Sequence, residues 1–424
     1  MKLRSYWLDT ATPAGDFRRT PLPRRADVVV IGAGLTGLST ALHLARDGAQ
    51  VALVEEHTVG WGASGRNGGM ATTGLAIGYP TAVKRYGQAR AGAMFHAYND
   101  AIDTVEKLVA EEGIDCHFDR VGKLTVASKA SHYDGYQRAA DMLADIGHEV
   151  RLVPPERIHT EIGSDAFPGG LVDPLGAAVH VGELCAGLAR AGVRAGVSIH
   201  EDCEVTELRK AGGARHDVHT SRGVIRADRV VVATSGYTGG ALPWLRRRIV
   251  PIGSYIIATE PLSQELVDEI MPTRRVASDT NRVCYYFRIT PDNRLLFGGR
   301  ARFAVSVRES DAKSGRILHQ GMLRIFPQLK GKRIDYCWGG LVDMTMDQMV
   351  HAGERDGVIH SVGYSGHGVQ MATHMGSVIA RMIAGDEDAN PWRGLPFPAV
   401  PGHVGPPWFL PPAGAFFRLL DKIN

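Results

Sequence analysis

Three glycines, Gly32, Gly34 and Gly37, stand in the run Gly32-Ala33-Gly34-Leu35-Thr36-Gly37, directly after the apolar stretch 27–31. Each suits a separate role in holding a dinucleotide. Gly32 permits a tight turn off a strand, Gly34 removes a Cβ where backbone must approach a pyrophosphate, and Gly37 lets a helix pack closely on the strand. The helix that opens at Leu35 and Thr36 brings free N–H groups and a positive dipole end to the phosphates. Glu55, about twenty positions further on, is spaced to accept hydrogen bonds from ribose hydroxyls, with Glu56 in that role if the second strand ends one residue later. An Arg or a small residue there would have pointed to a ribose 2′-phosphate. The turn alone does not separate a flavin from a nicotinamide dinucleotide.

The elements needed to hold this turn are legible around it. Residues 27–31 and 51–54 read as strands buried on both faces, and between them Leu35, Leu38, Leu42 and Ala45 form one apolar helix face that Gly48 terminates. Residues 81–112 and 131–146 read as helices, 122–127 as a strand, 180–191 as a helix and 203–208 as a strand. Residues 224–233 read as a strand that ends at Thr234-Ser235-Gly236. From Arg248 to Phe303 the pattern becomes β-rich, and Pro291-Asp292-Asn293 marks a hairpin turn between 283–289 and 294–297. Residues 358–362 return to a buried strand, followed by a helix over 369–384. The expected fold is therefore α/β: a Rossmann-type dinucleotide-binding domain, with an inserted α+β substrate domain built on an antiparallel sheet. The expected boundaries are an N-terminal arm at 1–26 and a discontinuous cofactor domain at 27–80, 150–245 and 330–390. The substrate domain takes 81–149 and 246–329, and a Pro- and Gly-rich tail takes 391–424.

Composition removes several alternatives. The chain has 424 residues, 48 basic and 45 acidic, for a net charge of +3. Without a Lys/Arg block or an aromatic platform, nucleic acid is not an expected partner. Five scattered cysteines, at 116, 185, 203, 284 and 337, show no disulfide framework and no metal-ligand spacing, and no metal is expected. The first residues lack the apolar run of a signal peptide, and no stretch approaches the length of a membrane span. A cytoplasmic protein is the expectation. The apolar tail residues Trp408-Phe409-Leu410 and 416–420, read as a short helix over 415–420, are expected to pack on their own domain, with membrane contact the alternative.

A second glycine-rich segment, Gly60-Trp61-Gly62-Ala63-Ser64-Gly65-Arg66-Asn67-Gly68-Gly69-Met70, follows the second strand at once. A plain nicotinamide domain has no need of it. It resembles the loop that runs from pyrophosphate to flavin ring in the D-amino-acid oxidase, glycine oxidase and sarcosine oxidase family, and within that family it is most similar to the gamma-glutamylputrescine oxidase branch. The turn at Ser235 and Gly236 resembles the family's segment beside the cofactor. Gly363-Tyr364-Ser365-Gly366-His367-Gly368-Val369-Gln370 is similar to its C-terminal flavin loop, and Val205 matches the position whose backbone contacts adenine. The resemblance implies FAD. It places Gly62, Ser64, Arg66, Asn67, Gly68, Gly69 and Met70 along the cofactor, and Gly366, His367, Gly368, Val369 and Gln370 at the flavin. Sarcosine oxidases attach their flavin through a cysteine; Gly340 occupies that position here and Cys337 lies three residues earlier, so noncovalent FAD is expected.

The implied reaction moves a hydride from the carbon beside an amine nitrogen to flavin N5, giving an imine that water hydrolyses. The substrate is then a small amine or amino acid, with gamma-glutamylputrescine-like compounds first, and O2 is the expected electron acceptor. No separate acid or base is required, and no catalytic residue is assigned. Strand alternation puts Tyr286 and Arg288 on one face, where Arg288 would bind a substrate carboxylate bidentately; the competing role is a pair with Asp292 or Asp279. His367, between two glycines, would line the substrate cavity. Three alternatives stand beside this one: an NAD-dependent dehydrogenase using the first motif alone, a flavin dehydrogenase feeding a quinone or carrier, and a non-catalytic flavin-binding subunit.

Overall fold

The Val/Ile run ahead of the glycine turn is apolar on both sides, and it forms the centre of a sheet. Strand Arg25–Ile31 pairs in parallel with Val51–Val54 on one side and Gly223–Val232 on the other. Val28, Val30 and Leu53 pack with Leu38, Leu42, Leu184 and Met375, whereas Val29, Ile31 and Val54 pack with Val218, Ile225 and Leu245. Burial on both faces is what this composition requires. The computed structural model describes residues 1–299, 308–404, 407–412, 414 and 416.

The full order of this sheet is His351–Arg355, Val358–Val362, Gly223–Val232, Arg25–Ile31, Val51–Val54 and Ser198–His200, and the hairpin of Val205–Lys210 with His216–Thr220 joins it at Gly223–Val232. Helices Leu35–Arg46 and Gly368–Ile383 lie against each other on one side. A Cβ at Gly376 would fall 2.4 Å from the Cβ of Ser39, so only glycine permits this approach. The Ser39 hydroxyl donates to the Thr373 carbonyl across the contact, at 2.7 Å. The close packing holds both helix N-termini at the same end of the sheet.

The second sheet runs in the order Ile334–Met344, Val250–Thr259, Leu295–Gly299, Tyr285–Ile289, Val276–Asp279, Lys123–Val126, Gly170–Asp173 and Arg151–Val153. The expected hairpin around Pro291-Asp292-Asn293 is present, and Asn293 takes the left-handed conformation such turns need, at φ 60°. Tyr255, Ile257, Phe287 and Phe297 point away from the first sheet, into a cluster with Leu318 and Met322 of helix Arg308–Ile325. The opposite face is turned toward the dinucleotide turn.

Several expectations change. Strands Arg151–Val153, Gly170–Asp173 and Ile334–Met344 fall inside ranges assigned to the cofactor domain but pair in the second sheet. Their short apolar runs carry no mark of which sheet they join. The helix expected over 81–112 is two helices, Tyr79–Tyr86 and Gln88–Glu112, because Gly87 adopts φ 80° between them. That over 131–146 likewise divides into Ala130–Asp134 and Tyr136–Ala144 at Gly135.

The N-terminal residues are not a loose arm. Helix Tyr6–Thr10 buries Trp7 completely, and its indole N–H donates to the Asn67 carbonyl at 2.7 Å. The tail at Leu410 packs on Ile252 and Met344, while Trp408 stays 71% exposed. The rest of the expected tail helix, residues 415 and 417–420, lies outside the described residues, as do 300–303 of the β-rich stretch. Among the described residues no helix is long and apolar enough to cross a membrane.

Candidate functional site

The two sheets enclose one elongated cavity of about 590 Å³. At one end lies the glycine turn. Gly32 has φ 103°, and a Cβ there would meet the Ala233 carbonyl at 2.8 Å. A Cβ at Gly37 would overlap the Gly32 carbonyl at 1.9 Å, which explains why the helix can start flush against the strand. A Cβ at Gly34 would meet the Ser64 hydroxyl at 2.8 Å; that hydroxyl accepts from the Leu35 N–H at 2.9 Å. Gly32, Gly34, Leu35, Thr36 and Ser64 line the cavity, while Gly37 acts through packing.

Glu55 stands where the second strand ends. Its carboxylate accepts from the N–H of Ala33 at 2.7 Å and from that of His57 at 3.0 Å, which fixes it at the cavity wall. Burial pushes its pKa up against those bonds. Glu56, His57 and Val205 line the same end. A fixed carboxylate with further lone pairs facing the cavity suits a ribose diol.

The middle of the cavity is built by the loop at 60–70. Asn67 spends its side chain on its own loop: its amide donates to the carbonyls of Ala63 and Ser64, and its oxygen accepts from the Gly69 N–H. Arg66 donates to the Trp61 carbonyl at 2.6 Å and lies over the Trp61 ring at 4.5 Å. Gly62, Arg66, Asn67, Gly68 and Met70 line the cavity. Gly69 does not: with φ 65° it turns the chain where a Cβ would strike the Val179 carbonyl, the Arg288 guanidinium and Trp7.

At the far end, Gly366, His367, Gly368 and Val369 line the wall at the start of helix Gly368–Ile383, whose first turn has no side-chain cap. A second positive helix end thus faces the cavity that the Leu35–Arg46 terminus also faces, and both favour anionic groups. Gln370 turns away and donates to the Thr72 carbonyl at 2.5 Å, tying the helix to the segment after Met70. Ser235 lines the wall in the left-handed conformation, at φ 48°, while Gly236 lies against Leu341 outside the lining.

The roof is one face of the second sheet. Register pairs Gly340 with Ser254; the Tyr286 ring reaches Ser254 across Gly298 of the intervening strand; and register carries Tyr286 to Ser278, Ser278 to Thr125, and two residues along to Lys123. Gly340, Ser254, Tyr286, Ser278 and Lys123 all line the cavity. The Tyr286 hydroxyl is 3.0 Å from that of Ser254. Tyr286 thus lies on the cavity wall.

Arg288 is not. Two positions further along the same face, the cavity has ended, and the side chain is only 2% exposed beneath Trp7. Its guanidinium donates to the carbonyls of Gly69, Val179 and Ile289, and pairs with neither Asp292 nor Asp279. Burial depresses its pKa to about 10. Arg288 thus ties the 60–70 loop to Val179 and does not line the cavity.

Sequence reasoning missed four contributors. Asp343 is fully buried at the cavity wall; it accepts from the Gly363 N–H at 2.7 Å, and burial raises its pKa to about 6. The Tyr237 hydroxyl accepts from Leu341 N–H at 3.1 Å while its ring meets Trp61 edge-on. Cys284 lines the cavity together with Tyr286. Lys123 is the fourth, and burial lowers its pKa. Its one available signal was alternation with Leu124 and Val126, which says that it faces the other way but not toward what.

Gly340 lines the cavity, and a Cβ there would already meet the Arg66 Cβ at 3.0 Å. Cys337 sits on the other face of its strand, among the second sheet's apolar cluster, with its thiol donating to the Asp311 carbonyl. Among the described residues, no group of three or more His, Cys, Asp or Glu side chains is arranged to hold a metal.

Comparison with known proteins agrees with this geometry. The family model described as DAO, FAD dependent oxidoreductase, matches residues 27–382. Gamma-glutamylputrescine oxidoreductase of Escherichia coli is 32% identical over 425 residues, covering 99% of this chain and 98% of its own length. A probable oxidoreductase, OrdL, of Haemophilus influenzae is 34% identical over 411 residues, or 94% of this chain and 93% of its own. The crystal structure of glycine oxidase from Geobacillus kaustophilus superimposes with a TM-score of 0.76 at 19% identity, over 90% of this chain and 100% of that one. That likeness shows the shared fold. The glycine turn, the fixed carboxylate, the two converging helix ends and the family match lead to one conclusion: this chain belongs to the DAO family of FAD-dependent oxidoreductases.

Proposed function

We propose that this protein oxidises the carbon–nitrogen bond of a small amine or amino acid, with gamma-glutamylputrescine-like compounds as its first substrate class. The observation that carries the reading is the continuous cavity from Glu55, past both helix N-termini, to the polar sheet face of Ser254, Tyr286, Ser278 and Lys123. The near full-length relationship to a gamma-glutamylputrescine oxidoreductase supports the choice of substrate class.

Glu55 would hold the ribose hydroxyls of FAD, and Gly34, Leu35 and Ser64 its pyrophosphate. Val205 lies at the adenine end. Gly62, Arg66, Asn67, Gly68 and Met70 would support the ring system, together with the uncapped turn at Gly366–Val369. FAD, when bound, would supply a two-electron acceptor for the hydride of the carbon beside nitrogen, with O2 as the final acceptor. The protein's share is to orient that carbon and to keep the amine neutral. The roof side chains favour a neutral amine, because they offer hydroxyls, a phenol and an ammonium group, and no carboxylate that would stabilise a substrate ammonium. Tyr286 and Ser254 hydroxyls are placed to bind the amine, and His367 closes the cavity opposite Tyr98, at a ring distance of 5.5 Å.

With glycine at 340 and Cys337 turned away, FAD is held without a covalent bond. Acid precipitation is expected to release free FAD; a flavin retained on the polypeptide would overturn this. The activity itself is tested by anaerobic mixing of the holoenzyme with amines and amino acids. Bleaching of the flavin by at least one of them, with H2O2 formed on readmission of air, is the expected result. Reduction without H2O2, relieved by a quinone or dye, would favour a dehydrogenase.

A further inference from the structure

Among the described residues, the roof of the cavity carries one ammonium group, Lys123, and it makes no direct ion pair. Lys123 lies on strand Lys123–Val126 at the end of the row Ser254, Tyr286, Ser278. Its ammonium group makes a single hydrogen bond, to the Thr73 carbonyl at 3.1 Å. An ammonium has three N–H donors, so two remain for whatever fills the cavity. The nearest carboxylate, Asp173, is taken: it accepts from Thr73 at 2.5 Å, from His148 at 2.8 Å and from the Leu175 N–H. No ion pair joins it to Lys123.

The other carboxylates that line the cavity lie elsewhere. Glu55, Glu56 and Glu204 belong to the nucleotide end, and Asp343 is bonded at the flavin loop. Arg66 is committed to its own loop and Arg288 lies outside the cavity. An ammonium with unused donors, among hydroxyls and with Asp173 acting on it only through space, is complementary to an anion. Carbonyl, thiol and hydroxyl neighbours alone would leave it as an expensive buried charge.

We infer that Lys123 is the specificity residue for a carboxylate carried by the substrate, and that this protein selects carboxylate-bearing amines over neutral or purely cationic ones. The inference rests on the amine-oxidising reading and narrows it. Lys123 is a single point charge and sets no bidentate geometry, so the carboxylate is accepted at the end of a flexible chain as readily as beside the reacting carbon. A gamma-glutamyl amine meets this requirement through its glutamyl carboxylate; a bare diamine does not.

The test separates binding from turnover. Short straight-chain carboxylates and their primary amides are titrated into the FAD-loaded enzyme, and the shift of the flavin absorption spectrum reports affinity without any oxidation. The wild-type protein is expected to prefer carboxylates over the matching amides by about tenfold or more, as a charge-assisted hydrogen bond requires. Lys123→Met and Lys123→Gln are expected to abolish that preference while retaining FAD. In turnover, Lys123→Met raises KM for gamma-glutamylputrescine by a larger factor than it raises KM for N-acetylputrescine. Equal affinity of the wild type for acid and amide would overturn the inference without any variant, as would an undiminished preference in either variant. If no amine bleaches the flavin yet carboxylates still bind through Lys123, the oxidase reading fails and the anion site stands.

Discussion

Replacing Arg288 with Met tests the reassignment of this residue from substrate reader to clamp. The guanidinium joins the Gly69 and Val179 carbonyls, on segments far apart in sequence, and stacks near Trp7 at 5.5 Å. Charged hydrogen bonds contribute about 1.5–3 kcal/mol each, so losing these two costs about 3–6 kcal/mol. Part of this returns, because burial holds the guanidinium pKa down at about 10 and Met carries no charge to desolvate. That depression corresponds to about 3 kcal/mol. The net loss, about 1.5 kcal/mol at the middle of the remaining range, falls on the 60–70 loop proposed to support FAD. Fluorescence titration of apoprotein with FAD is expected to show affinity weakened by about tenfold to thirtyfold, with the thermal transition lowered by a few degrees. The preference between carboxylate and amide ligands is expected to stay unchanged once FAD saturates. A variant that holds FAD normally and loses carboxylate preference would restore Arg288 to the substrate site and refute the clamp.

Gly37→Ala places a methyl carbon 1.9 Å from the Gly32 carbonyl, so helix and strand must separate; loss of measurable FAD binding is expected on gel filtration, and a yellow, FAD-saturated variant would contradict it. Trp7→Ala empties a fully buried site and removes the bond to Asn67, with an expected loss of about 3–5 kcal/mol in urea denaturation of the holoenzyme; a shift below about 1 kcal/mol would mean that the N-terminal helix is dispensable. Asp343 gives a pH signature in the apoprotein. Its folded pKa, raised to about 6, lies above the unfolded value, so its contribution is full below about pH 4 and is lost as pH rises through 6. Thermal melts across that window are expected to fall by an amount equivalent to about 2–3 kcal/mol in wild type, and to flatten in Asp343→Asn.

The glycine turn was readable because its pattern is local. Gly32, Gly34 and Gly37 keep a short fixed spacing, although only Gly37 answers a clash within the turn and the other two clear Ala233 and Ser64, and Glu55 follows from the length of one strand–helix–strand unit. The flavin loop was readable only through its resemblance to a family, and Gly69 shows the limit of that reading. It sits in the right segment but serves a contact with Arg288 and Trp7. The substrate end was not readable. Whether Lys123 and Tyr286 share a wall depends on the pairing of strands more than a hundred residues apart, which alternation within one strand does not encode. Arg288 failed for a related reason. Alternation gave its face correctly, but nothing local marks where along that face the cavity ends.

The most direct measurement is anaerobic reduction of the bound FAD. Purified holoenzyme mixed with gamma-glutamylputrescine under argon should lose its visible flavin absorption, release an aldehyde on quenching, and regain the absorption when oxygen enters. A flavin that dithionite bleaches, but that no amine or amino acid in a broad panel reduces, would contradict the assignment of this cavity to amine oxidation.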